Sequence, residues 1–159
     1  MARTTTEHTI VVQSAQPTGV VREEAVGSGS IIPGELLEYR SGYVQRVSTA
    51  GVATPKFVAL ENQTINTNTY PTTASIDVPY TSGDIVYFAQ AQAGDFYNMR
   101  LDSAVGTTTI GLDWLITTAA GQLTSCGTGI SVGTRNAIGI AWETVAVGGT
   151  ATRCLVRIV

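Results

Sequence analysis

Asp113-Trp-Leu-Ile-Thr117, Ala137-Ile-Gly-Ile-Ala-Trp142 and Thr152-Arg-Cys-Leu-Val-Arg-Ile-Val159 decide how this chain folds. The last alternates most cleanly: Cys154, Val156 and Ile158 fall on one side of an extended strand, Arg153 and Arg157 on the other. In the middle stretch Ile138, Ile140 and Trp142 share a face, and Gly139 and Ala141 share the opposite one. Small residues on that second face let another segment approach closely. The first stretch is a strand that runs into the turn Ala119-Ala-Gly-Gln122 and a weaker strand from Leu123. Trp114 and Trp142 both lie among apolar neighbours, which points to core packing, with burial at an interface as the alternative.

Upstream, short β-rich runs alternate with turn signals. Thr9-Ile-Val-Val12 is a first strand, broken by Gln16-Pro-Thr-Gly19. Gly27-Ser-Gly-Ser30 is a loop; it lacks the Lys and the glycine spacing of a phosphate-binding loop. Pro33-Gly34 turns the chain into a strand at Leu36 to Tyr39, and Ser41-Gly42 turns it back through Tyr43 to Val47. Lys56-Phe-Val-Ala-Leu-Glu61 is apolar on both faces, the pattern of a strand buried on two sides. A long polar loop follows from Asn62, and Pro79 confines the next piece to an edge or a strand end. Ile85 to Ala91 is a strand, and the short turn at Gly94-Asp95 predicts a hairpin with the strand that starts at Phe96. With no amphipathic helix, the expected fold is all-β: a jelly-roll-like sandwich or barrel over residues 9–159, with an extended N-terminal arm over residues 1–8.

Composition excludes several classes of function. Net charge is −3 and Lys56 is the only lysine, so the basic field that nucleic acid or an anionic membrane demands is missing. Only 13% of residues are charged, so solubility rests on Thr, Ser, Asn and Gln, a surface suited to lying against other protein. No apolar run approaches the roughly 20 residues of a membrane helix. The start Met1-Ala-Arg-Thr-Thr-Thr-Glu lacks the apolar core of a secretory signal, so a cytosolic site of synthesis and reduced thiols at Cys126 and Cys154 are expected. Those cysteines form no C-x-x-C, and the lone His8 is remote, so neither a zinc site nor any cofactor is expected.

The candidate catalytic groups reduce to turn chemistry. Asp84 and Asp95 each follow a glycine at a turn, where Asp serves local hydrogen bonding. Asp77, Asp102 and Asp113 are scattered, and Glu23-Glu24 reads as a solvated face. A Ser-His-Asp triad would have to draw on His8 in the arm, and no G-x-S-x-G elbow occurs. The expectation is a protein that is not an enzyme.

Pro33-Gly-Glu35, Leu60-Glu61, Gly83-Asp-Ile-Val86, Asp113-Trp-Leu115, Ala120-Gly-Gln-Leu123, Ala137-Ile-Gly-Ile-Ala-Trp-Glu143 and the closing Arg153-Cys-Leu-Val-Arg-Ile158 give the chain a likeness. From about residue 30 to residue 159 it resembles the small head decoration, or cement, proteins of tailed bacteriophages. The resemblance implies a virion protein on the outer surface of the capsid, made in the host cytoplasm. Such proteins form homodimers or homotrimers at symmetry axes and bridge major capsid protein subunits. It implies that Ala2, Arg3, Thr4, Thr5, Thr6, Glu7 and His8 form an arm that contacts the capsid. Arg153 and Arg157, the outward residues of the last strand, are the expected inter-subunit contacts. The alternative is a tail-fibre or other virion β-module that binds host glycans. An exposed aromatic row would mark a carbohydrate-binding sandwich.

Overall fold

The computed structural model describes residues 10–15, 22–51, 56–62, 76–103, 105, 113–126, 136–146 and 153–159. The expected arm and most of the polar loop after Asn62 lie outside them. The described elements are strands: β1 Val11–Gln13, β2 Arg22–Val26, β3 Leu36–Arg40, β4 Tyr43–Arg46, β5 Phe57–Ala59, β6 Ile85–Gln90, β7 Phe96–Arg100, β8 Trp114–Thr117, β9 Leu123–Ser125, β10 Gly139–Ala141 and β11 Arg153–Ile158. They form two antiparallel sheets, six strands in the order β1-β7-β11-β10-β8-β9 and five in the order β2-β6-β5-β3-β4. The fold is a β-sandwich, the first of the two closures expected.

Alternation places the core. Between the sheets lie Leu36, Val58 and Ala89 from one side and Tyr97, Met99, Leu115, Cys154, Val156 and Ile158 from the other. The opposite face of the five-stranded sheet is apolar too, and Leu37, Val44, Ala59, Val86 and Phe88 build a second core there with Ile31 and Tyr80. That explains the doubly apolar run at Lys56 to Glu61: β5 has core on both faces.

The second core is covered because the five-stranded sheet curls. Its edge strands meet at one bridge, Gly27 to Val44, with the Ser28 N–H donating to the Val44 carbonyl at 2.8 Å. A Cβ on Gly27 would lie 2.6 Å from Val86 Cγ2, so a side chain there would clash with the second core. The ladder does not continue past this bridge, so the sheet is curled and not a closed barrel. Tyr80, fully buried, caps the core and donates its hydroxyl to the carbonyls of Leu60 at 3.1 Å and Glu61 at 2.8 Å.

Three strands are entered through one turn design: Ile32-Pro-Gly-Glu35 before β3, Thr81-Ser-Gly-Asp84 before β6 and Gln92-Ala-Gly-Asp95 before β7. The third residue is a glycine with φ between +87° and +95°, the positive value a type II turn requires there. The acidic side chain accepts the N–H of the first residue, at 2.9 Å for Glu35, 2.6 Å for Asp84 and 2.8 Å for Asp95. The local hydrogen-bonding role expected of Asp84 and Asp95 is met in each case.

One expectation fails. β6 and β7 are not a hairpin; they belong to different sheets. The Ala91 N–H still bonds to Lys56 in the five-stranded sheet, while the Gly94 N–H bonds to Ile158 in the six-stranded one. The turn that reads as a hairpin loop therefore carries the chain across the sandwich.

Candidate functional site

The buried aspartates Asp95 and Asp113 are committed to structure. Asp95, 1% exposed, accepts from Ala15 N–H at 2.7 Å and Ser14 Oγ at 3.3 Å as well as from its own turn, tying β1 to the crossing. Asp113 accepts from Ser125 Oγ at 3.3 Å, between β8 and β9. Among the described residues no group of three His, Cys, Asp or Glu side chains could hold a metal ion. Both thiols are free. Cys154 is buried, and the Cys126 thiol donates to the Trp114 carbonyl at 3.1 Å while burial pushes its pKa up, away from the reactive thiolate. No described helix is long and apolar enough to cross a membrane.

A charged cluster joins the two sheets. Arg100 of β7 and Arg153 of β11 are direct cross-strand partners, a like-charged pair that needs anions nearby. Arg153 donates to Asp77 Oδ1 at 2.5 Å, to the Pro33 carbonyl at 3.1 Å and to the Ile76 carbonyl. Glu35, with no exposed side-chain surface, lies 3.9 Å from Arg46 Nη1 and accepts weakly from Gln122 at 3.5 Å. Burial raises its pKa more than the Ile32 N–H, Arg46 and Arg100 lower it. Burial is also what most depresses Arg100, with Arg153 next. The cluster pins the Ile32–Glu35 turn to the end of β7 and β11; its groups hold the fold together.

The outer face of the six-stranded sheet is different. Phe96 pairs with Arg157, Arg157 with Ile140 and Ile140 with Trp114, one residue from each of β7, β11, β10 and β8 in a single transverse row. Phe96, Ile140 and Trp114 are half-buried and Arg157 is exposed. Trp142, just past β10 and 41% exposed, reaches across this row. Its ring meets Phe96 edge-on, centroids 5.4 Å apart at 74°, and lies under the Arg157 guanidinium at 5.6 Å. Half-buried Leu155 and Ile116 extend the patch. The solvent face of an antiparallel sheet is normally polar, so this apolar stripe is the candidate site on the described surface.

This overturns the core placement of the two tryptophans. The reason lies in β10. A Cβ on Gly139 would stand 2.5 Å from both Val156 Cγ1 and the Arg157 carbonyl, so the buried face of β10 has no room for a side chain at Gly139, and the small, fully buried Ala141 shares that face. The bulky Ile140 and Trp142 are thereby turned outward, while Ile138, ahead of the strand, stays in the core. The close approach expected at the small face is there; β11 makes it. The small-large alternation from Gly139 to Trp142 was the available signal for the stripe, read with the wrong face inward.

The two predicted contact residues part company. Arg153 is held within the chain at the covered end of β11, and Arg157 stands at the open end over Trp142. The arm residues Ala2 to His8 lie outside the described residues.

No family model matches the chain, and no curated protein matches it. Among solved structures it is similar to the N base of the head fibre protein gp8.5 of bacteriophage phi29, at a TM-score of 0.47 and 14% identity, over 89% of this chain and 98% of that one.

Proposed function

We propose that this chain is a structural protein of a tailed-phage virion, and more narrowly a decoration or cement protein. In this reading it sits on the outer surface of the assembled head, bridges major capsid protein subunits and performs no catalysis. The observation that carries the reading is the apolar stripe around Trp142 and Arg157, set on the rigid centre of a six-stranded sheet. The likeness in sequence to cement proteins supplies the partner. Stabilisation follows from mass action: a ligand of the assembled lattice alone favours that lattice. Many modest contacts on a symmetric array, with self-association as dimer or trimer and an arm pairing along a capsid strand, add through avidity.

The test is the rupture temperature of expanded heads with and without the chain bound. A cement protein raises it in proportion to occupancy; an unchanged temperature at full occupancy contradicts the reading. The glycan-binding alternative draws less support. The exposed aromatic rings among the described residues, Tyr39 and Tyr43 on one sheet and Trp142 on the other, do not form a row.

A further inference from the structure

The stripe also specifies the chemistry of what covers it. Arg157 lies inside the row: β11 has β7 on one side and β10 on the other. Among the described residues the guanidinium makes no ion pair or hydrogen bond, and its contact is the Trp142 ring. The other charges on β11 and around it have partners of their own. Glu143 Oε1 accepts from the Leu155 N–H at 2.7 Å, Arg153 is paired with Asp77, and Lys56 donates to the Val159 carbonyl oxygen. The guanidinium is thus without an anionic partner among the described residues and is restrained by its contact with the Trp142 ring before any partner arrives. Restraint lowers the entropy lost on pairing, and the flanking Phe96, Leu155, Ile140 and Trp114 exclude water from the pair once it is covered. Aromatic residues and Arg clustered at a dry centre are the usual composition of an interface hot spot.

We propose that this stripe docks a protein surface presenting a carboxylate to Arg157 within a collar of apolar side chains. The proposal rests on the cement reading and names the contact on the shell: an acidic residue in an apolar setting, met by Arg157 and Trp142. A second copy of this chain fits poorly, because a two-fold axis through the stripe sets one Arg157 against the other. A polysaccharide fits poorly as well, since Arg157 and Phe96 already engage the Trp142 ring on which a sugar would stack.

The test uses the full chain and bare expanded heads in co-sedimentation, with Arg157→Glu, Arg157→Lys and Trp142→Ala. Both positions are exposed, and an unchanged thermal melt confirms that each variant folds. Arg157→Glu and Trp142→Ala each weaken binding by about thirtyfold or more, the size of a hot-spot loss. Arg157→Lys keeps the charge, loses the planar bidentate fork toward a carboxylate and falls between. Wild-type binding weakens with salt more steeply than that of Arg157→Glu. Wild-type affinity in both Arg157→Glu and Trp142→Ala overturns the docking face while leaving the cement reading intact. Failure of the wild-type chain to bind heads at all overturns both. Loss of a wild-type oligomer in Trp142→Ala by sedimentation velocity, or a Trp142-dependent affinity for host polysaccharide, gives the face to another occupant and overturns the proposal.

Discussion

Gly34 and Gly83 occupy the same position of the same turn, at φ +87° and +95°, and differ in what lies behind them. A Cβ at Gly34 would stand 2.8 Å from the Asn98 carbonyl, whereas nothing lies within 4 Å at Gly83. Gly83→Ala should therefore cost about 1 kcal/mol, the backbone term alone. Gly34→Ala should add a clash and cost about 3 kcal/mol; equal denaturation midpoints would refute this. Glu35 gives a pH dependence whose sign is fixed. Its pKa is raised above the ordinary 4.5 chiefly by burial, so the folded chain holds the proton more tightly than the unfolded one. Its contribution to stability is then fully present below pH 4.5 and lost as pH rises through the raised value. Glu35→Gln removes that loss, and its melting temperature should fall less than wild type's between pH 5 and about 8. A steeper fall in the variant would show the carboxylate to be net stabilised. At this scale the turns were legible, because an acid after a glycine states its own hydrogen bond. Trp142 was not, because the direction of its face depends on how closely β11 approaches Gly139.

The crossing from β6 to β7 is where local reading stops working. The turn Gln92–Asp95 has the same internal bonds as the turn Thr81–Asp84, which enters β6 without changing sheet, so the turn itself does not announce the crossing. What separates them is long-range: Asp95 also accepts from Ala15 and Ser14, and its carbonyl accepts from Ile158. Asp95→Ala takes a buried acceptor from three part-buried donors, Gln92 N–H, Ala15 N–H and Ser14 Oγ, and should cost about 3 kcal/mol. Asp84→Ala, at a solvent-facing turn, should cost about 1 kcal/mol. Urea titration of both variants checks the contrast, and equal losses would deny Asp95 its role as the anchor of the crossing. The strands themselves were readable from alternation, β11 most of all, as was the double burial of β5. Pairing was not, since residues 80 apart in sequence meet at Asp95.

Two sheets and two cores make a body that is rigid where the stripe lies. β11, with Arg157, has paired strands on both sides and core residues Cys154, Val156 and Ile158 beneath it. The all-β sandwich was legible because fold class follows from period and turn spacing. The stripe is only half legible: alternation turns Arg157 outward, but the aromatic residues beside it read as core. The arm is a separate matter: deleting residues 2–8 should leave the melting temperature unchanged and weaken attachment to heads. Unchanged attachment would remove the arm from the account. The most direct test of the whole is the fraction of chain that sediments with bare expanded heads against the fraction that sediments with unexpanded procapsids. The account predicts saturable recovery with expanded heads and little with procapsids; equal recovery from both, or from neither, would contradict it.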